Sequence, residues 1–263
     1  VIKAALIDWL YAKGLVTDAV VVSEMVVSNW ARRADIAVAN GRLYGFEIKS
    51  EFDSLKRLPG QIESFQKHFD KVTVVAASKF IPYIVKNYPD EVGVLEVCVR
   101  NLGVEFRQIR SGRICEVKDY STISSFMTKV EIERLLKSEG IIVKGGLPRR
   151  DLITYINTVP IRRLKKFALN CIKCRYKDTF LAFDSARRRD GSFESLGFLS
   201  KSETLRAKVA QAEELPLGYF KKINESNERA IDFSKLGPEF GGIPEDMPQT
   251  VTLRKKEKDQ TRS

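Results

Sequence analysis

The run from Ala34 to Lys49, Ala-Asp-Ile-Ala-Val-Ala-Asn-Gly-Arg-Leu-Tyr-Gly-Phe-Glu-Ile-Lys, constrains this chain more than any other. Two β-prone stretches flank an Asn-Gly dipeptide, the strongest short-range hairpin signal. A two-residue turn at Asn40-Gly41 would pair Asp35 with Phe46 and bury the carboxylate among aromatics. A three-residue loop, Ala39-Asn40-Gly41, instead pairs Val38 with Arg42 and Asp35 with Gly45. That register puts Ile36, Val38, Tyr44, Phe46 and Ile48 on an apolar face and Asp35, Glu47 and Lys49 on a polar one. A one-residue slip would turn the whole set inside out, so the hydrophobic pattern selects it. Asp35 and Glu47 become diagonal neighbours, roughly 7–8 Å apart at the backbone, with Gly45 leaving room beside them.

The surroundings fit an α/β chain. Ile2 to Lys13 has helical apolar spacing and stops at Gly14, and Ala19 to Val27 reads as a strand carrying Glu24. Asp53 is suited to cap a helix from Ser54 to His68, and Lys71 to Ala77 reads as the next strand. A helix near Pro82 to Lys86 and strands at Val92 to Val99 and Val104 to Ile109 continue the alternation. Thr128 and Glu131 form a capping-box pattern, and helical spacing extends from Arg149 to about Tyr176 before weakening beyond Asp178. Residues 237–263, rich in Pro, Gly and charge, are expected to be a loosely ordered tail.

Charge divides the chain further. The formal balance of +11 splits into +2 over residues 1–139 (20 basic, 18 acidic) and +9 over 140–263 (25 basic, 16 acidic). A basic balance favours a polyanion, with Arg149, Arg150, Arg162, Arg163, Lys165, Lys166, Arg187, Arg188 and Arg189 as candidate phosphate contacts. The plainer reading of each basic run is a solvated helix face. With 43% hydrophobic residues the chain is too apolar for wholesale disorder. Its apolar runs fall short of the ~18 residues of a membrane span. Four cysteines without a signal-peptide pattern suggest a reducing, cytoplasmic setting.

Two carboxylates and a lysine on one strand face suit metal-assisted phosphodiester cleavage. Hard oxygen ligands hold Mg²⁺ (or Mn²⁺), which activates a bound water and stabilises charge on phosphate, while Lys49 offers a fixed positive charge. Glu24 is a further candidate ligand or water-orienting base. The plainer alternative is a surface ion pair between Glu47 and Lys49.

In this order, Glu24, Arg33-Ala34-Asp35 and Glu47-Ile48-Lys49-Ser50, followed by a helix, resemble the PD-(D/E)XK nuclease superfamily over about residues 1–80. The resemblance is closest to small bacterial members of uncharacterised or DNA-repair-like type. It implies a restriction-endonuclease-like core, a central mixed sheet flanked by helices, and Mg²⁺-dependent DNA hydrolysis. Asp35, Glu47 and Glu24 would be the metal positions and Lys49 the catalytic lysine. Ala34 stands where the family often has Pro. Gln61 with Phe65 resembles the Gln-x-x-x-Tyr motif of RecB-like nucleases, which implies that Gln61 touches the scissile phosphate or the lysine. Arg57, one turn earlier, would meet phosphate. Phe65 itself fits the helix's core face.

The expected organisation is therefore a nuclease-like domain at 1–120, a basic and mainly helical DNA-holding region at 121–236, and the tail at 237–263. Two rivals remain: a DNA-binding module that keeps the fold without cutting, and a protein-interaction factor. A homodimer or a protein partner is compatible with either. His68, the sole histidine, has no nucleophile motif and fits a helix surface. Cys171-x-x-Cys174 fits a buried helix face better than zinc, since Cys98 and Cys115 lack paired spacing. No phosphate-loop or dinucleotide fingerprint occurs.

Overall fold

The period-2 segments form a meander of three antiparallel strands, β1 (Val20–Val27), β2 (Arg32–Ala39) and β3 (Leu43–Lys49), in the computed structural model. The structure describes residues 1–27, 32–100, 103–200, 228–230 and 250–252. Helix α1 (Ile2–Ala12) precedes the meander, and α2 (Leu58–His68), β4 (Lys71–Ala77), α3 (Ile81–Asn87), β5 (Gly93–Arg100) and β6 (Gly103–Arg110) follow it in that order. The strands make one mixed sheet in the order β1-β2-β3-β4-β5-β6, parallel at β3–β4 and β4–β5 and antiparallel elsewhere. The chain is thus α/β with a six-stranded mixed sheet flanked by helices.

The hairpin register differs from expectation by two residues. Ala39 pairs with Leu43, Val38 with Tyr44 and Ile36 with Phe46, so the three-residue loop is Asn40-Gly41-Arg42. Gly41 takes φ +98°, a left-handed conformation that glycine tolerates best. Side chains keep the faces predicted for them, because each partner moves by two positions, but the register continued one residue past the ladder's end sets Asp35 opposite Glu47 rather than Gly45. Gly45 serves the core, not the carboxylates: a Cβ there would lie 2.8 Å from the Phe69 ring.

Helix α2 begins at Leu58, not Ser54. Pro59 sits in its first turn, where a missing N–H costs nothing, and Asp53 closes the preceding turn by accepting the Ser50 N–H at 2.8 Å. Leu58, Ile62 and Phe65 are buried against the sheet, with Phe65 edge-on to Phe69 at 5.6 Å. This helix roofs the face that carries Glu47 and Lys49, so that face is interior and not a solvent surface.

Four helices follow, α4 (Tyr120–Ser125), α5 (Lys129–Ser138), α6 (Arg149–Ile156) and α7 (Ile161–Asp190), then a short α8 (Ser192–Ser195). The capping box of Thr128 and Glu131 is formed at α5. The helical run expected from Arg149 is split: α6 stops at Ile156, Pro160 stands at the N-cap of α7, and α7 runs 30 residues to Asp190. Leu164, Ala168 and Cys171 of α7 join a helical cluster with Ile132, Leu135 and Leu152. Leu169, Ile172, Phe180 and Phe183 of the same helix enter the sheet's core. Helix α7 therefore belongs to both layers.

The chain divides into two compact units, Val1–Val209 and Ala210–Ser263. In the second, Glu228–Ala230 and Thr250–Thr252 pair antiparallel. The expected tail, apart from that second strand, lies outside the described residues. No helix among the described residues is long and apolar enough to cross a membrane.

Candidate metal and phosphate site

A cleft of about 500 Å³ opens where β1, β2 and β3 meet the start of α2, lined by Glu24, Asp35, Glu47, Lys49, Gln61 and Arg57. The six positions singled out as the chemical core of the sequence thus converge on one cavity. Arg32, Arg33 and Asp53 line it too. Arg32 and Asp53 were not anticipated as cleft residues; a strand position flanking the motif and a turn-closing aspartate carry no chemical signature in sequence.

Lys49 Nζ donates to Glu47 Oε1 at 2.7 Å and to Gln61 Oε1 at 3.0 Å, while Gln61 Nε2 donates to the same Glu47 oxygen. Glu47 and Lys49 are almost wholly buried. The pair is therefore not the surface ion pair of the plainer reading. Gln61 reaches it from the first full turn of α2 and touches the lysine.

Asp35 Oδ2 accepts the Ile48 backbone N–H at 2.6 Å, replacing a ladder partner at the end of the β2–β3 pairing. On its other side, Ser23 pairs with Ile36 and Met25 with Ala34, and the intervening Glu24 drops out of the β1–β2 ladder. Glu24 adopts φ +56°, a conformation that costs a side-chain-bearing residue about 1–2 kcal/mol. Three carboxylates consequently stand in a row across three strands. Glu24 is held by Lys3 and by Arg33 at 2.9 Å, so both of its oxygens are engaged.

The electrostatics single out the inner pair. Burial pushes the Glu47 carboxyl above the ordinary range, reinforced by the charge on Asp35 and opposed by Lys49 and Gln61. Burial likewise raises Asp35, against the Ile48 N–H and the nearby lysines. Glu47 Oε2 is buried without a hydrogen-bond partner. An orphaned carboxylate oxygen beside a second, mutually repelling carboxylate is a place where a divalent cation fits. Among the described residues no three His, Cys, Asp or Glu side chains gather around one point, so a cation held here would have only Asp35 and Glu47 as protein ligands. Mg²⁺ is bound through one or two carboxylates with waters filling the remainder.

The basic runs separate into two groups. Arg149 donates to the Ser124 carbonyl at 2.8 Å, and Lys165 is paired at 2.6 Å with the buried Asp70. Arg187 lies 3.7 Å over the Tyr11 ring and between Asp8 and Asp184. These three are built into the fold. Arg150, Arg162, Arg163, Lys166, Arg188 and Arg189 are exposed, with Arg150, Arg163, Arg188 and Arg189 in surface ion pairs.

His68 is half-buried, edge-on to Phe126 at 6.0 Å, and not a free surface group. Cys171 is buried and its thiol is pushed up to about 11, chiefly by desolvation, while Cys174 is exposed. The described fold is thus an α/β sheet protein with a charged cleft at its meander edge.

The chain belongs to the family of bacteriophage P4 protein cII, whose family model matches residues 1–200. It is 37% identical over 254 residues to protein cII of Enterobacteria phage P4, an alignment covering 95% of this chain and 96% of that protein. Among solved structures, a protein of unknown function from Silicibacter pomeroyi is similar at a TM-score of 0.33 and 16% identity, over 52% of this chain and 89% of that one.

Proposed function

We propose that the protein is a metal-dependent DNA nuclease built on a PD-(D/E)XK-like core. The observation that carries this reading is the buried Glu47, whose Oε1 is held by Lys49 and Gln61 while Oε2 has no hydrogen-bond partner and the carboxyl feels the charge of Asp35. Asp35 and Glu47 would hold Mg²⁺ or Mn²⁺. Bound there, the ion supplies Lewis-acid polarisation of phosphate and a water of lowered pKa.

The chain's own groups do the remainder. Ile48 N–H fixes the Asp35 carboxylate, and Gln61 fixes the Lys49 ammonium so that its charge is preorganised for the phosphorane-like transition state. Arg57, at the start of α2, and Arg33, at the strand edge, extend positive charge along the cleft for neighbouring phosphates. Exposed basic groups of α7 such as Arg162 and Lys166 give a non-specific hold on DNA.

Incubation of the purified protein with plasmid, linear and single-stranded DNA, with Mg²⁺ or Mn²⁺ and then EDTA, tests the reading. Cleavage that requires the cation and disappears in Asp35→Asn is expected. Intact DNA under every condition overturns it. A second reading, a DNA-binding module that does not cut, draws on the engagement of both Glu24 oxygens by Lys3 and Arg33. It predicts salt-sensitive DNA binding indifferent to EDTA and to Asp35→Asn.

A further inference from the structure

Phe52 is 99% exposed, whereas Phe65 and Phe69 are fully buried. Leaving a phenyl ring in water forgoes the largest stabilisation that side chain can give, and nothing in the fold requires an aromatic there. The ring sits in the turn from Ser50 to Asp53 that leads directly out of Lys49. That turn is rigid. Asp53 N–H donates to the Ser50 carbonyl at 3.1 Å, Ser50 N–H and Oγ–H both donate to Asp53 Oδ2, and Lys79 Nζ ties the Glu51 carbonyl from outside.

Both ends of the turn, Lys49 and Asp53, line the charged cleft, as does Arg57 just beyond. Phe52 does not itself line the cleft but sits in the chain between two residues that do, so a nucleic-acid strand with a phosphate in the cleft would run close to its turn. Aromatic groups beside cationic tracks bind unpaired bases by stacking, irrespective of sequence. The base faces of a duplex interior are already stacked on one another and are closed to such a ring.

Resting on the nuclease reading above, we propose that Phe52 is a stacking platform for an unpaired base, and that the cleft's substrate class is single-stranded DNA or a single-stranded end or gap. The cleft supplies the phosphate contacts and the ring supplies the strand preference.

The test is fluorescence anisotropy in EDTA with three labelled probes: a mixed-sequence single strand, the same strand carrying a run of abasic sites, and a blunt duplex. Wild type is expected to prefer the base-bearing single strand. Phe52→Ala should weaken that complex roughly five- to hundredfold, leave the abasic and duplex complexes unchanged, and be rescued by Phe52→Trp but not by Phe52→Leu. No detectable binding of the single strand by wild type, equal affinity of wild type and Phe52→Ala, or full rescue by Phe52→Leu overturns the proposal. Cleavage assays with Mg²⁺ on the same proteins separate the two readings. Cleaving wild type with an unchanged strand preference in Phe52→Ala sinks only the stacking role; Phe52-dependent binding without any cleavage sinks only the nuclease.

Discussion

Glu47 and Lys49, two residues apart on β3, form a 2.7 Å ion pair with side-chain exposures of only 3% and 5%. Burying two charges is unfavourable unless each stays partnered. Removing one leaves the other stranded, so Lys49→Ala or Glu47→Ala should each cost about 3–5 kcal/mol in urea unfolding. The double variant Glu47→Leu/Lys49→Met should be distinctly less destabilised than the sum of the singles. Additive losses would show that the pair is not coupled. For the same reason Lys49→Ala is a poor test of catalysis, and Asp35→Asn a better one.

Asp35 and Glu47 both have raised folded-state pKa values, through burial and, for Glu47, the charge of Asp35. Their contribution to stability is present below the unfolded carboxylate value of about 4 and is lost as pH rises through the higher folded values. Asp35→Asn retains an acceptor for Ile48 N–H and removes the repulsion. It should match wild type near pH 4 and exceed it by roughly 0.5–2 kcal/mol near pH 8, as relief of a strained functional site does. Thermal melts across that range are the check; a constant difference refutes the repulsion.

A ligand that binds only the folded state stabilises it in proportion to its occupancy. Millimolar Mg²⁺ or Mn²⁺ should therefore raise the Tm at pH 8, have a smaller effect as pH falls and the carboxyls take up protons, and have none in Asp35→Asn/Glu47→Gln. Stripping the cation with EDTA should return wild type to its starting Tm. A shift that survives in the double variant would place the ion elsewhere.

Lys165 and Lys166 are neighbours in sequence with different roles in the structure. Lys165 answers Asp70, whose oxygens also accept the N–H groups of Leu43 and Val117, joining β3, the segment before α4, and α7. Lys165→Met should cost about 3–5 kcal/mol in urea unfolding. Lys166→Met should leave the unfolding midpoint within about 0.5 kcal/mol and lower the slope of log K against log salt for DNA binding by about 0.9 if it meets a phosphate.

Glu24 holds φ +56° at the cleft edge. Glycine relaxes that conformation while giving up two ion pairs at a half-exposed site, contributions of opposite sign and each about 1 kcal/mol. Glu24→Gly should thus change stability by less than about 1 kcal/mol in chemical unfolding yet reduce DNA cleavage. A variant with normal cleavage would remove Glu24 from the site.

The strands, the faces of their side chains and the association of Asp35, Glu47, Lys49, Gln61 and Arg57 were legible in the chain, because alternation and helical spacing are local and a one-residue slip is heavily penalised. A shift of two residues is not, since it preserves every face. Placing Asp35 opposite Glu47 therefore required the folded sheet.

Pattern also could not tell that the charged face of β3 is interior. That depends on α2 folding back over it, with Phe69 seated against Gly45 and Gln61 set above the ion pair. Nor does composition separate basic groups that hold the fold from those left in solvent. Arg149, Lys165 and Arg187 find carbonyls, a buried carboxylate and an aromatic ring far away in sequence, while Arg162 and Lys166 remain exposed. Short-range periodicity carries the first kind of information. The second exists only once distant segments pack, because a charge's role is set by what desolvates and answers it.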